Sequence, residues 1–466
     1  MSVASLVLDE QIASQLAAAA REPLETAGVL IVGVAKGDRG TRLIGRKYIA
    51  APSDGYDQRE DDGLVLNPRA WAPALAQAET LGGSALFVHT HPGGIPEPSR
   101  RDEGVDRDLA EPFRIRTGSP VYGSMVMSLT GDAPGFAFTC ALETAPGSRV
   151  DVSELLVVGR RLRAVSAWGA DRPHTAPALV DRQVKAFGGD VQAVLGRLRV
   201  GVAGAGGTGS AVLEQLVRLG VRDIVLADPD DLTDSNVTRV YGSRAADVGK
   251  AKVDVQRRHL TAIAPDLSLR TLRPGSTYLS TARALAGCDV VFGCTDDEAG
   301  RIVLSRLAYY YLIPVIDCGV LLSSDGGRLL GIDGRVTTMV PGQACLVCRN
   351  RVDLARAAAE TLDPEQLRAR QHEGYAPELA GQEPAVVTYT TSVAALAVGE
   401  LVERLTGHGP DPAPSELILR LHEREISTNS HAPGAGHFCD PATGRQGAGD
   451  VEPFLHWTWP DEATAP

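Results

Sequence analysis

Val200-Gly-Val-Ala-Gly204-Ala-Gly206-Gly207-Thr-Gly209-Ser210 is the stretch that decides the fold. Arg197 to Ala203 reads as a short buried strand, the glycines follow at once, and Ala211 to Leu219 continues as a helix. Glycines in that place allow a tight turn and let backbone N–H groups approach a phosphate at the positive end of a helix. Asp223-Ile-Val-Leu-Ala227 is a second strand and runs into Asp228, nineteen residues beyond Gly209, where a carboxylate can take ribose hydroxyls. Asp289 to Gly293 and Ile313 to Ile316 add strands that alternate with helices, which predicts a doubly wound parallel sheet. Taken alone, the glycine motif fits an NAD-dependent oxidoreductase as well as any other nucleotide protein.

The chain has 466 residues, enough for two to four domains. Its 44% hydrophobic and 22% charged residues exclude wholesale disorder. Lys+Arg 46 against Asp+Glu 58 leaves a net charge of −12, which argues against a general nucleic-acid binder. Seven scattered cysteines, with only Cys345 and Cys348 close together, do not make a secreted disulfide framework, and a reducing cytoplasm suits them better. No apolar run nears the roughly 18–20 residues of a membrane helix, and the N-terminus lacks a signal-peptide pattern. A cytoplasmic protein with no membrane partner is expected.

Residues 1–148 read as a mixed α/β domain. Ile12 to Arg21 and Asn67 to Leu81 look helical; Gly28 to Gly33, Arg42 to Ala50, Ala85 to His89, Tyr122 to Leu129 and Gly135 to Leu142 look like strands. Residues 149–178 read as a connector, in which Val152 to Ala167 could be a helix or a strand–helix joint. The nucleotide domain is expected over 179–440, with 350–385 helical and polar and Val386 to Leu405 a long apolar helix, and an irregular tail over 441–466.

Phe87-Val-His89-Thr-His91-Pro92 puts two histidines at a strand end, and strand alternation points both imidazoles to one face. Asp102 follows after a Pro/Gly-rich loop. Two imidazoles and a carboxylate leave a tetrahedral Zn²⁺ one open position for water. Each residue also has a plainer reading: a polar loop pair, an acidic helix face, and for Ser99 a helix N-cap. The full spacing His-x-His-Pro-x6-Ser-x2-Asp resembles the signature of the JAMM (JAB/MPN) metallopeptidases, which cut at the C-terminus of ubiquitin-like proteins. By that resemblance His89, His91 and Asp102 hold the catalytic zinc. Glu25, ahead of the apolar run Gly28 to Gly33, is the general acid/base, and Ser99 helps to hold the oxyanion.

Beyond Asp228 come Asp230, Ser235, Asn236 and Arg239, then Gly249-Lys-Ala-Lys252, then Cys294-Thr-Asp296. A dinucleotide needs no Arg-plus-Lys clamp with a carboxylate beside it, whereas Mg·ATP does. From about 179 to 425 these residues resemble the ThiF/MoeB/HesA family of ubiquitin-activating-type adenylyltransferases. The resemblance implies that Gly204, Gly206, Gly207 and Gly209 cradle ATP and that Asp228 binds its ribose. Asn236, Arg239 and Lys252 would contact the triphosphate, with Lys252 rather than Lys250 at the family spacing, and Asp296 would support Mg²⁺. Asp181-Arg182-Gln183 resembles the family's Arg-Gln pair, whose arginine reaches the partner subunit's ATP site, and so implies a homodimer.

The family pattern breaks in two places. Its structural zinc site uses two Cys-x-x-Cys pairs; Cys345 and Cys348 match the first, but Cys439 has Ala442 where its mate would stand. His437 or His431 is left to complete a second zinc site. The crossover segment Arg349 to Thr391 also has no cysteine for a thioester. Cys288, Cys294 and Cys318 read as core residues. The expectation is a bifunctional enzyme that trims the C-terminus of a ubiquitin-like or sulfur-carrier protein and then adenylates its terminal glycine. The acyl-adenylate would pass directly to a sulfur donor, an amine or a conjugating enzyme. A scaffold that grips a ubiquitin-like partner, and an adenylyltransferase for peptide C-termini, remain the alternatives.

Overall fold

A computed structural model describes residues 4–170, 178–372, 377, 379 and 384–460. The chain divides into two compact units. The first comprises residues 1–173, 310–312 and 441–451, and the second comprises 174–309, 313–440 and 452–466.

The first unit is a mixed α/β fold. In chain order its elements are β1 (Ala4–Asp9), α1 (Glu10–Ala20), β2 (Ala27–Gly37), β3 (Gly40–Ala50), β4 (Tyr56–Arg59), β5 (Leu64–Leu66), α2 (Ala72–Leu81), β6 (Ser84–Thr90), α3 (Arg100–Thr117), β7 (Tyr122–Leu129), β8 (Phe136–Glu143), β9 (Arg149–Val158) and β10 (Leu162–Ser166). Eight strands form a sheet in the order β1-β3-β2-β6-β7-β8-β9-β10, and β1 pairs with both β3 and β9, closing the sheet on itself. Alternation along the central strands sorts two cores. Leu30, Val32, Leu86 and Val88 share one with Ile12, Leu16 and Ala17 of α1. Val29, Ile31, Ala85 and Phe87 share the other with Leu75 of α2 and Leu109 and Phe113 of α3. Buried on both faces, β6 is apolar from Ala85 to Val88 and then turns polar at His89.

Residues 149–166, expected as part of a connector, instead form β9 and β10 of this sheet. Leu155 to Val158 are buried on both faces, so the run shows no period of two to separate it from a helix. The loop expected over Gly169 to Pro177 lies mostly outside the described residues. The tail does not stay apart either. Gly449 bridges to Val34, the Asp450 amide donates to Val34 O at 2.9 Å, and the Lys36 amide and Tyr311 hydroxyl donate to the Asp450 carboxylate at 2.9 and 2.6 Å.

The second unit opens with α4 (Asp181–Phe187) and α5 (Gly189–Arg197), then runs β11 (Arg199–Ala203), α6 (Gly207–Arg218), β12 (Asp223–Ala227), α7 (Lys252–Ile263), β13 (Ser268–Leu272), α8 (Leu279–Ala286), β14 (Val290–Gly293), α9 (Glu298–Tyr310) and β15 (Val315–Asp325). These are followed by β16 (Arg328–Met339), α10 (Leu354–Glu360), α11 (Pro364–His372), α12 (Val387–Thr406), β17 (Glu416–Arg420) and β18 (Glu425–Asn429). The sheet order is β13-β12-β11-β14-β15-β16-β17-β18. The first five strands in that order are parallel, and β16 to β18 extend them antiparallel. Winding goes outward from β11 to β13 and then returns to β14 on the other side of β11. This creates a topological switch point at the carboxyl ends of β11 and β14, the place where open α/β sheets bind ligands.

Candidate functional sites

In the first unit the alternation that buries Phe87 against α3 carries on to His89, which is only 4% exposed and stacks on Phe87 with ring centroids 5.5 Å apart. His91 lies just past the strand end, fixed by its amide to Met127 O at 2.8 Å and by Nδ1 against Ile95 O at 3.1 Å. Asp102 comes from the first turn of α3. There Ser99 is the N-cap: its Oγ accepts the Asp102 amide at 3.2 Å, while the Asp102 carboxylate accepts the Ser99 amide at 2.6 Å. This capping box aims Asp102 at the histidines. Oδ1 lies 3.4 Å from His89 Nε2 and Oδ2 lies 3.5 Å from His91 Nε2. Glu25 precedes β2, which pairs Ala27 with His89. Its backbone is tied to a hairpin by its amide to Glu60 O at 2.7 Å and by Arg59 Nε to its carbonyl at 2.8 Å. Glu25, His89, His91, Ser99 and Asp102 line one cavity of about 280 Å³.

Burial pushes the Glu25 carboxyl up, against the pull of the two imidazoles. Burial also works against the Asp102 carboxylate, but hydrogen bonds from His89, His91 and Ser99 outweigh it and hold that carboxyl well below the usual range. His91 is pushed up chiefly by its hydrogen bond to Asp102. Apart from the long contact between Nε2 and Asp102, neither ring nitrogen of the buried His89 has a polar partner, and that contact is poorly directed. A buried imidazole so poorly satisfied is costly. Three ligand atoms, all within 4.8 Å of one another, fit a divalent ion held by His89, His91 and Asp102.

In the second unit Gly204 and Gly209 are glycine because the loop leaves no room for more. Gly204 has φ +100°, and a Cβ there would lie 2.3 Å from Cys294 O; a Cβ at Gly209 would lie 1.9 Å from Gly204 O. Gly207 is less crowded, facing Arg239 and the Thr390 hydroxyl. Nothing comes within 4 Å of the corresponding point on Gly206, the uncapped N-cap of α6. Protein packing therefore shapes the loop at two glycines, while a third stands open at the positive end of a helix.

Asp228 is buried at the end of β12 and accepts the Ala205 and Asp230 amides at 2.6 and 2.9 Å. Burial raises its carboxyl, partly offset by Lys252. Lys252, at the start of α7, has its Nζ 2.7 Å from Asp230 Oδ2 and 4.0 Å from Asp228 Oδ1, whereas Lys250 is 3.0 Å from Asp247. Arg239 donates to Ser235 O at 2.9 Å and meets no carboxylate among the described residues. Asn236 closes a capping box with Thr233, and Asp296 is exposed in the loop before α9. Arg182 lies exposed on α4.

Cys345, Cys348, His437 and Cys439 come together, with ligand atoms within 4.8 Å of one another; His437 is the histidine of this cluster, not His431. Cys348 Sγ lies 3.6 Å from Cys439 Sγ, and His437 Nδ1 is 3.4 Å from both Cys345 and Cys439 Sγ. The Cys348 and Gly434 amides point at sulfur, at 3.5 and 3.4 Å. Hydrogen bonding from Cys345 brings the Cys439 thiol down to about 5, and the same contact drives Cys345 up. Three thiolates so close repel one another, and a tetrahedral Zn²⁺, with the neutral imidazole as its fourth ligand, would relieve that.

Two contributors were not anticipated from the sequence. The β4–β5 hairpin at this cavity has a readable signal, the Asp62-Gly63 pair just ahead of the apolar Leu64-Val-Leu66. Thr390 and Thr391 of α12 have none: Thr390 faces Gly207, and Thr391 Oγ1 is 3.1 Å from the Tyr241 hydroxyl.

The switch point, the shaped glycine loop and the acidic residue after β12 define a nucleotide-binding α/β unit in a chain that also carries a unit with a His/His/Asp centre. Comparison with known proteins narrows this. The ThiF family model matches residues 180–434, and the chain belongs to that family. The model for prokaryotic homologs of the JAB domain matches residues 8–140, so the chain is a fusion of the two. The SAMP-activating enzyme E1 of Haloferax volcanii is 28% identical over 32% of this chain and 52% of its own length. The sulfur carrier protein ThiS adenylyltransferase of Escherichia coli is 30% identical over 32% of this chain and 56% of its own length. The chain thus spans about half the length of these curated relatives. Among solved structures, Escherichia coli MccB with MccA-N7isoASN aligns at 17% identity and a TM-score of 0.45, covering 56% of this chain and 74% of that one. Among the described residues no helix is long and apolar enough to cross a membrane.

Proposed function

We propose that the second unit adenylates the C-terminal carboxylate of a small ubiquitin-like or sulfur-carrier protein, and that the first unit cleaves at the C-terminus of the same kind of protein. The observation that carries this reading is the open space at Gly206, the uncapped start of α6, with Arg239 and Lys252 supplied by the segment that follows β12. Names of the relatives that include a SAMP-activating enzyme and a ThiS adenylyltransferase support the choice of acyl substrate.

In adenylation the substrate carboxylate oxygen bonds to the α-phosphorus of ATP, the bond to the β-phosphate oxygen breaks, and pyrophosphate leaves. Arg239 has no carboxylate to give up among the described residues, so it can offset phosphate charge directly. Lys252 would exchange Asp230 for a phosphate oxygen, and Asp228, held by two amides, would present its carboxylate to the ribose. Asp296 would support Mg²⁺, and the Arg182 guanidinium would reach into the ATP site of a second copy of the chain. Arg349 to Thr391 contains no cysteine, so the acyl-adenylate passes on without an enzyme thioester in that segment.

In the first unit a divalent metal, when bound, supplies Lewis acidity and an acidified water. His89, His91 and Asp102 hold it. Glu25, with its carboxyl pushed up by burial, takes and returns the proton. Ser99 Oγ accepts the Asp102 amide, so its own hydrogen is free to donate to the developing oxyanion. Pyrophosphate–ATP exchange that requires a small protein ending in Gly-Gly tests the second unit. Absence of exchange across candidate carriers, with the fold intact, overturns that half.

A further inference from the structure

Asp106 stands on α3 one turn beyond Asp102, and positions four apart on a helix share a face. Its Oδ1 accepts the Tyr122 hydroxyl at 2.6 Å; its Oδ2 accepts the Ser124 hydroxyl at 2.5 Å and lies 3.3 Å from Arg149 Nη1. The Asp106 side chain is 12% exposed, and Tyr122 and Ser124 are buried. Both hydroxyls come from β7, two residues apart and so on one face of that strand. The same strand is the reference for both histidines. It pairs in parallel with β6, Ser124 beside Phe87 and Val126 beside His89, and its Met127 carbonyl takes the His91 amide at 2.8 Å. Asp102 comes instead from a helix that packs on the sheet through apolar Leu109 and Phe113. Such packing is non-directional and does not by itself fix where a helix stops along a strand. The capping box sets Asp102 within α3, not α3 against the sheet. Arg114 ties the far end of the helix to Pro120 O and Glu143; near the metal ligand the tie is Asp106.

We propose that Asp106 is a positioning residue for the metal centre: its clamp on Tyr122 and Ser124 sets where Asp102 stands relative to His89 and His91. The role rests on the metal-dependent peptidase reading of this unit and adds the groups that hold the third ligand in place. A metal accepts ligand distances only within about 0.2 Å of its preferred values. The Asp102 oxygens now lie 3.4 and 3.5 Å from the two Nε2 atoms, so a small slide of α3 along β7 would open the set. Arg149 lies against the same carboxylate and balances its charge locally, so the clamp acts through direction rather than through field. Groups that orient a ligand in this way are worth about 10–100-fold in metal affinity.

The test uses the full-length, zinc-loaded protein, competed with chelators of graded strength and read by elemental analysis. His89→Ala identifies the zinc that belongs to this centre, and zinc held by the cysteine cluster serves as the internal reference. In Asp106→Ala the His89-dependent zinc should bind about 10–100-fold more weakly, with the other zinc unchanged. Tyr122→Phe/Ser124→Ala should give the same loss, and adding Asp106→Ala to that pair should cost nothing more, because the three groups act as one unit. Asp106→Asn keeps an acceptor for one hydroxyl and should recover most of the affinity. Ile12→Val, in the core on the other face of the sheet, also lowers stability and should leave zinc affinity where it was. Native affinity in Asp106→Ala, or an equal loss in Ile12→Val, overturns the positioning role and leaves the metal reading standing. An equal loss in Asp106→Asn and Asp106→Ala overturns it in favour of charge alone. A native protein without His89-dependent zinc overturns the metal reading, and the positioning role with it.

Discussion

Glu25 and Asp102 share a cavity yet are pushed in opposite directions, because one is buried with few donors and the other collects three hydrogen bonds. The difference predicts distinct losses. Glu25→Gln should retain bound metal while cleavage falls by roughly 10²–10⁴. Asp102→Ala should lose the metal itself, as elemental analysis would show. Asp102 also lifts His91 above its ordinary 6.5, so a proton competes with metal for that ring further up the pH scale. Metal affinity should fall as the pH drops from 8 to 6 in a chelator competition, and a flat profile would contradict the assignment. In the metal-free protein the sign is the reverse: this pair contributes stability below about pH 6.5, lost as pH rises through the folded-state value. The glycines make a sharper pair. Gly204→Ala forces a side chain at φ +100° against Cys294 O and should cost at least ~1–3 kcal/mol of stability in denaturant unfolding. Gly206→Ala, with open space around it, should leave the unfolding midpoint nearly unmoved and weaken ATP binding.

At the scale of elements, the start of α3 does two jobs, since the capping box that ends the helix also aims a metal ligand. Ser99→Ala should therefore lower stability by ~1 kcal/mol and weaken metal binding together, with Ser99→Thr restoring both. In the second unit, removing metal with a chelator should lower the thermal transition if the Cys345/Cys348/His437/Cys439 cluster holds zinc; an unchanged transition in a zinc-containing sample would argue otherwise. What could be read from sequence follows the range of the interactions. The glycine loop and the His-x-His pair are local, with spacing fixed by one turn or one strand, and they stand where their motifs put them. The placement of Asp102 beside them needed only a helix start. β9 escaped because Leu155 to Val158 are covered on both sides, which erases the alternation that marks a strand. Thr390 escaped for a different reason: it meets the glycine loop across about 180 residues of chain, and nothing near it in sequence is unusual. Of the two histidines that could complete the cysteine cluster, only folding selects His437.

For the whole molecule, the net charge of −12 argues against a general nucleic-acid binder. Residues 441–451 bear on a separate matter. They belong to the first unit although some 270 residues of the second unit come before them. Asp450 is held there by Val34, Lys36 and Tyr311. The gene therefore has no clean place to be split. A break near residue 173 would leave most of the first unit on one polypeptide and its last segment on the other. Limited proteolysis at that point should yield two bands on a denaturing gel but one peak on a sizing column, and each piece expressed alone should lack something the other carries.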